Sequence, residues 1–398
     1  MREAVVISPV RTPVGDLGGT LKDITAVDLA ALVVKEVLAR TGVPPQVIDD
    51  VVMGQAYPSG ENPDIGRLAA LRADLPIEVP GCQVDRRCAS GLQAFCFAAM
   101  MVQTGAADVV VAGGVESMSQ AEHYLMGLRW GIKRGSPPMY DRLERTRITI
   151  SCPERFGIIQ GMIATAENVA EKYNISREEQ DEYALHSHRK ACAAIEAGKF
   201  KNEIVPFPIP QRRGEPLLFA QDEHPRPDTS LEKLARLNPI QGKTVTAGNS
   251  SSENDAAAAC LVMTREKAEE FGLKPIAHLK SWATAGVHPA YMGIGPVPAV
   301  KKALDKAGLT LEDMDLIELN EAFAAQALGV LREWHMPFDH PKLNVNGSGI
   351  SLGHPIGATG ARIMATLLNE MERHDAQFGL ETMCVGGGQG MAAIFQRR

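Results

Sequence analysis

The 398-residue sequence is poor in aromatics, with 5% Phe, Trp and Tyr, and contains no apolar run long enough to span a membrane. The second absence excludes a membrane-spanning helix. Long runs of one charge are also missing, and the net charge is −7. Neither nucleic acid nor an anionic membrane surface is therefore an expected partner. The seven cysteines have no CxxC spacing and no histidine pairs near them. An odd, scattered set speaks against a disulfide framework and against a zinc site, so no metal is expected. Reduced thiols point to the cytoplasm. The N-terminus runs directly into the strand-like Ala4–Ser8 with no signal or transit segment, which fits that location.

What is present is a soluble globular balance of 45% apolar and 22% charged residues, with 37 glycines. A chain of this length implies two or three domains. Short strands alternate with helices, which predicts an α/β fold with mainly parallel strands. Ala4–Ser8 and Asp49–Met53 read as strands around a helix over Val27–Ala39, which Gly42 stops ahead of Pro44 and Pro45. The pattern then repeats. A helix over Pro298–Lys306 is stopped by Gly308, 266 residues after Gly42, and a strand over Leu316–Leu319 follows. At that offset Asp49 falls on Asp315, Val51 on Ile317, and Gly91 on Gly357. Helical runs with apolar stripes come next, each leading to a strand and a glycine cluster: Val109–Ala112 with Gly113 and Gly114, and Leu380–Val385 with Gly386 to Gly388. A constant offset over several elements favours duplication of one α/β half.

Between the halves the composition changes to Arg-rich loops, Pro-rich stretches and long helices. One helix opens on the capping box Ser176-Arg177-Glu178-Glu179. The expected division is an N-terminal half over 1–118 and 244–270, an inserted segment over 119–243, and a C-terminal half over 271–398.

Four local signatures carry chemistry. Val84-Asp85-Arg86-Arg87-Cys88-Ala89-Ser90-Gly91 puts Cys88 at a strand-to-helix junction, where free N–H groups and the helix dipole favour a thiolate. A buried small hydrophobe is the ordinary alternative for any cysteine, and Cys82 and Cys96 are read that way, Cys82 as lying just before the strand. Gly353-His354-Pro355-Ile356-Gly357 holds His354 in a rigid loop, and His354 coincides with Cys88 at the repeat offset. Asn320 follows the strand Leu316–Leu319, where α/β sheets place their sites, although it also reads as a helix cap. Cys384 ends a strand before Gly386-Gly387-Gly388, whose N–H groups are exposed beside it.

Together with Arg11-Thr12-Pro13, Gly113 to Met118, Thr165 to Val169, Val245 to Asn249 and Met292 to Pro298, these motifs resemble the thiolase family along essentially the whole chain. The resemblance implies two pseudo-symmetric halves stacked in five α-β-α-β-α layers, the inserted loop domain covering CoA, and a homodimer or homotetramer. It implies a CoA-dependent acyltransferase of fatty acid metabolism with acyl-CoA and CoA as substrates and no bound cofactor. Such an enzyme cleaves 3-oxoacyl-CoA thiolytically or runs the reverse Claisen condensation. By the same resemblance Cys88 is the acylated nucleophile and His354 its base, while Cys384 is the acid/base at the α-carbon. Asn320 holds a water that helps stabilise the enolate, and the N–H groups of Cys88 and Gly386 form an oxyanion hole. Arg226 matches the residue beside the CoA nucleotide, Ala247, Ser251 and Met162 match pantetheine contacts, and Met292 and Phe323 line the acyl end.

The sequence departs from the family at Arg87 and Ala89 around the nucleophile, at Gly161 before Met162, and over Ser252-Glu253-Asn254-Asp255. Those changes bear on substrate shape. Arg87 adds a charge beside Cys88, and Ala89 adds a β-carbon where the thioester would form. Two other readings stand beside the thiolase one: a ketoacyl-synthase-like condensing enzyme, and a catalytically idle thiolase-like scaffold subunit.

Overall fold

The computed structural model describes residues 2–397. In the first half, strand β1 (Ala4–Arg11) leads to helix α1 (Ala26–Thr41), β2 (Asp50–Gly54), α2 (Ile65–Arg72), β3 (Gly81–Val84), α3 (Ser90–Thr104) and β4 (Val109–Ser117). The chain then makes a long excursion holding α4 (Arg142–Thr149), α5 (Gly161–Lys172) and α6 (Arg177–Glu196) before returning as β5 (Asn254–Thr264). The second half runs β6 (Ala277–Gly286), α7 (Pro296–Ala307), β7 (Leu316–Leu319), α8 (Ala324–Glu333), α9 (Thr359–Arg373), β8 (Phe378–Val385) and β9 (Gln389–Gln396).

The helix boundaries have local causes. Thr25 caps α1 by accepting from Asp28 N–H, and Gly42 ends it in the left-handed region at φ 64°. Gly308 ends α7 the same way at φ 67°. The capping box of Ser176 and Glu179 is formed at the start of α6.

Strand order is β7-β8-β9-β6-β1-β5-β4-β2-β3, with Gly15–Asp16 beside β5. β1 and β6 pair only at Val5↔His278 and Val6↔Ala277, so this junction is narrow. Each half repeats one scheme. β2 is parallel to β3 and β4, as β7 is to β8. β4–β5 and β5–β1 are antiparallel, as are β8–β9 and β9–β6. The expectation of mainly parallel strands is therefore corrected. The long excursion returns β5 antiparallel to β4, and the short Gly386–Gly388 turn forces β9 to reverse against β8.

Alternate residues along the strands feed separate cores, which shows the layering. Val5, Val51 and Val111 pack against α1 and α2, whereas Val6, Val52 and Val110 join α3 and α9 in a central layer. From the second sheet Met383 and Phe395 face the same central layer, while Leu380 and Ile394 face α7 and α8. The result is α-β-α-β-α. The excursion has its apolar side on this framework: Ala166 and Val169 of α5 and Tyr183 and Ala184 of α6 belong to the outer core of the second half.

The repeat is real but its offset changes. Asp49 Oδ2 accepts from the N–H groups of Asp108 and Val109, and Asp315 Oδ2 accepts from Gln377 and Phe378. The acceptors are 266 residues apart and the donors 269. The second half thus holds three more residues before its central helix. Gly91 corresponds to Gly360, not Gly357, and Cys88 to Gly357, not His354. Both Cys88 and His354 still lie just ahead of the central helices.

Candidate active site

Cys88 sits in a single helical turn, Arg87–Ala89, between β3 and α3. Arg87 takes a left-handed φ of 46°, rare for a side chain with a β-carbon, and this swings the chain into the turn. Cys88 is buried, and its own N–H and that of Gly386 act to lower its thiol pKa. Burial nevertheless raises its pKa, outweighing those two donors and the charges of Arg87 and Arg147. The expectation of a favoured thiolate is corrected accordingly: the backbone N–H groups lower the pKa, but desolvation is the larger effect.

Gly386 opens the β8–β9 turn, in which Gly387 and Gly388 take φ of 86° and 81°. A β-carbon on Gly388 would lie 2.4 Å from Val287 O, so that position admits only glycine. Cys384, the penultimate residue of β8, is fully buried; its pKa lies well above the usual thiol range through burial and the neighbouring Cys88.

His354 follows Gly353 (φ 91°) in the loop before α9. Its Nδ1 is 2.7 Å from Thr359 Oγ1, which itself lies 2.9 Å from Pro355 O. With the Thr359 hydrogen on Pro355 O, Nδ1 is the donor to Thr359, which leaves the Nε2 lone pair free. Nε2 is buried without a hydrogen-bond partner among the described residues. Burial, with the charges of Arg362 and Arg147, lowers the imidazole pKa to about 3, so the ring is neutral at physiological pH. Asn320 Nδ2 is 3.4 Å from His354 Nδ1, and Asn320 Oδ1 is also buried without a hydrogen-bond partner among the described residues. Asn320 does not cap α8, whose N-cap is Phe323 with no side-chain bond.

A cavity of about 800 Å³ is lined by Cys88 and His354 and by all six expected CoA contacts: Met162, Arg226, Ala247, Ser251, Met292 and Phe323. Asn320, Cys384 and Gly386 are not among its lining residues. Arg226 has a half-exposed side chain 3.6 Å from Asp16 Oδ2.

The departures resolve individually. The Arg87 side chain reaches Asp85 Oδ2 at 2.9 Å and lies over the Tyr57 ring, 5.2 Å from its centroid. Ala89 is buried in the central core and does not line the cavity, so its β-carbon does not crowd the thioester position. Gly161 lines the cavity at φ 73°. Glu253 forms an ion pair with Arg147 of α4, and both line the cavity. Cys82 is exposed and lies within β3, not before it, and Cys96 is buried in the central layer.

Sequence reasoning missed several residues here. Glu116 accepts from the N–H groups of Ala56, Tyr57 and Gly357, tying the His354 loop to the first half. Asn254 accepts from His354 N–H at 2.7 Å. The only signals were membership of the quoted Gly113–Met118 and Ser252–Asp255 stretches. Nothing in either stretch says which distant backbone it will meet.

Comparison with known proteins agrees with this architecture. The thiolase N-terminal domain matches residues 4–266 and the thiolase C-terminal domain residues 273–397. The chain is 47% identical to an acetyl-CoA acetyltransferase of Pseudomonas aeruginosa, covering 100% of both chains. It is 48% identical to Beta-ketothiolase BktB of Cupriavidus necator, covering 100% of this chain and 99% of the other. Among solved structures, the Bacillus anthracis acetyl-CoA acetyltransferase superposes with a TM-score of 0.95 at 45% identity, covering 100% of this chain and 99% of that one. Human mitochondrial 3-ketoacyl-CoA thiolase gives 0.93 at 40% identity with the same coverage. With both domains matched in order and near-complete coverage, the chain belongs to the thiolase family.

Proposed function

We propose that this thiolase transfers acyl groups to and from CoA through Cys88, cleaving 3-oxoacyl-CoA with CoA and running the Claisen condensation in reverse. The observation that carries this is the cavity lined at once by Cys88, by His354 and by the six residues read as CoA contacts. In thiolysis, His354 Nε2 takes the Cys88 proton as the sulfur attacks the 3-carbonyl carbon. The bond between C2 and C3 breaks, the acyl group stays on Cys88, and the acetyl-CoA enolate takes a proton at C2 from Cys384. Once the proton held by His354 has passed to Cys384, His354 takes the proton of the CoA thiol as the CoA sulfur attacks the acyl-cysteine carbonyl. The C–S bond to Cys88 breaks, and the Cys88 sulfur regains the proton from His354 as acyl-CoA leaves. The oxyanion that develops lies between the Cys88 and Gly386 N–H groups, each such donor contributing about 3–4 kcal/mol to the barrier. His354 and Asn320 serve the enolate oxygen.

Arg226 at the mouth supports the reading that the nucleotide lies there, with pantetheine passing Ala247, Ser251 and Met162 and the acyl group meeting Met292 and Phe323. The segment over 119–243 supplies Arg147, Met162 and Arg226 to the wall, which supports its role as a CoA cover. A role in fatty acid metabolism follows from such substrates, and seven free thiols support a cytoplasmic location. Self-association is supported by the hairpin of His123–Leu125 and Met139–Asp141, whose connecting loop presents Trp130 at 87% exposure. Light scattering should give a dimer or tetramer mass, and a 42.8 kDa monomer at micromolar concentration would refute this.

Mass spectrometry after mixing with acetyl-CoA tests the central reading. Acetylation should map to Cys88, and a Cys88→Ala protein should stay unmodified and inactive. Acyl transfer that persists in Cys88→Ala would overturn it.

A further inference from the structure

A continuous set of polar contacts joins the cavity mouth to the backbone of His354. At the mouth, Arg226 Nη2 is 3.6 Å from Asp16 Oδ2, too long for a good hydrogen bond, while His224 Nδ1 is 2.8 Å from Asp16 Oδ1. Burial works against an ionised Asp16, yet His224, Arg226 and the Asn254 amide together hold its pKa below the usual carboxylate range. The same Oδ1 accepts from Asn254 Nδ2 at 3.2 Å. Asn254 is fully buried at the start of β5, and its amide is saturated. Nδ2 also donates to Gly15 O at 3.1 Å, and Oδ1 accepts from Ser252 Oγ and from His354 N–H, both at 2.7 Å.

The turn that aims His354 rests directly on this amide. Gly353 has φ 91°, and a β-carbon there would lie 2.7 Å from Asn254 Cγ and Oδ1. Moving the Asn254 side chain would therefore disturb four hydrogen bonds and the Gly353 contact together. Such a group transmits position well, because no single bond can relax without loss of the others.

We infer that Asn254 is a positioning residue that couples occupancy of the nucleotide end of the cavity to placement of His354. An anionic phosphate at the cavity mouth draws the Arg226 guanidinium away from Asp16. The carboxylate then binds His224 and the Asn254 amide more tightly, and the amide fixes the His354 backbone. Binding energy from a part of the substrate that does not react is thereby expressed in the chemical step. This rests on the reading of Arg226 as the residue beside the CoA nucleotide.

The test compares thiolysis of one 3-oxoacyl-CoA by CoA and by pantetheine, which carries the same thiol without the nucleotide. In the wild-type enzyme kcat with CoA should exceed kcat with pantetheine by about tenfold or more. Asn254→Ser should bring that ratio to near one, chiefly by lowering kcat with CoA, with KM for CoA changing less than about threefold. Asp16→Asn keeps an amide–amide contact to Asn254 but loses the charge, and the ratio should collapse likewise. It also serves if Asn254→Ser does not fold. The inference is overturned if the wild-type ratio is already near one, if both acceptors lose kcat equally in the variants, or if only KM for CoA rises. Absence of cleavage with either thiol in the wild type would refute the functional reading instead, which separates the two failures.

Discussion

Gly91 and Gly360 lie against each other's helices in the central layer. A β-carbon on Gly91 would come within 2.8 Å of Ala361 N, and one on Gly360 within 2.5 Å of Leu92 N. The two central helices therefore meet backbone to backbone, just beyond the loops that carry Cys88 and His354. Gly360→Ala should force them apart and lower stability by about 1–3 kcal/mol, the usual cost of overpacking. The urea midpoint of the variant checks this. An unchanged midpoint would mean that the helix contact is looser than these distances require.

That contact also shows where the sequence was legible and where it was not. Strand and helix identities, the stops at Gly42 and Gly308 and the duplication follow from local periodicity and glycine placement, which act within one element. The shift between Asp49/Asp315 and Gly91/Gly360 was invisible because a loop can take three extra residues at small free-energy cost. Strand direction was misjudged because it depends on how a 119–243 excursion returns, which no local pattern encodes. At the site, Cys88, His354, Asn320 and Cys384 were legible through their motifs. Glu116 and Asn254 act by bonding backbone groups far away in sequence, and only the fold brings those groups to them.

Burial sets the resting state of the nucleophile. Cys88 is raised by desolvation despite two N–H donors, and His354 is lowered to about 3 by burial first and then by Arg362 and Arg147. At neutral pH the cavity therefore holds a Cys88 thiol and a neutral His354 imidazole, not a thiolate and an imidazolium. Inactivation by iodoacetamide should thus rise about tenfold per pH unit between pH 6.5 and 8.5, with label on Cys88 and protection by acyl-CoA. A plateau starting below pH 7 would show a preformed thiolate. Activity loss that tracks labelling of exposed Cys82 or Cys152 would displace Cys88 as the nucleophile.

Glu116 makes stability depend on pH. Desolvation raises its pKa to about 7, against the three N–H groups that it accepts from and the Arg87 charge. A carboxyl whose folded pKa is raised contributes stability that is complete below its unfolded value near 4.5 and is lost as pH climbs through about 7. The loss amounts to about 3 kcal/mol, at 1.36 kcal/mol per unit. Glu116→Gln removes that titration. The variant should be less stable at pH 5, because an amide nitrogen cannot accept the N–H bonds that the second carboxyl oxygen accepts, and should gain about 3 kcal/mol relative to the parent by pH 8. Urea unfolding of both proteins at the two pH values decides it. A difference between them that does not change with pH would mean that Glu116 is already ionised in the acid range.

Cys384→Ala should separate two reactions that Cys88→Ala abolishes together. Exchange of labelled CoA into acetyl-CoA needs the Cys88 sulfur, His354 Nε2 and the N–H groups of Cys88 and Gly386. The Cys384 side chain is none of these groups; it is buried near the end of β8 and does not line the cavity. Cleavage or formation of the carbon–carbon bond also needs a proton moved at the α-carbon, the role proposed for Cys384. Its raised thiol pKa keeps the proton on sulfur at neutral pH, so that a proton is at hand for the enolate in cleavage. A general acid of this kind contributes about 10²–10⁴-fold. Thiolysis of a 3-oxoacyl-CoA should fall by that order in Cys384→Ala, with exchange within a few-fold of the parent. His354→Ala should damage both, since the same nitrogen serves the sulfur and the enolate. The comparison is made on variants with the parent's mass by light scattering and the parent's unfolding midpoint. If a folded Cys384→Ala enzyme loses exchange as completely as thiolysis, the second cysteine acts on the nucleophile and not at the α-carbon.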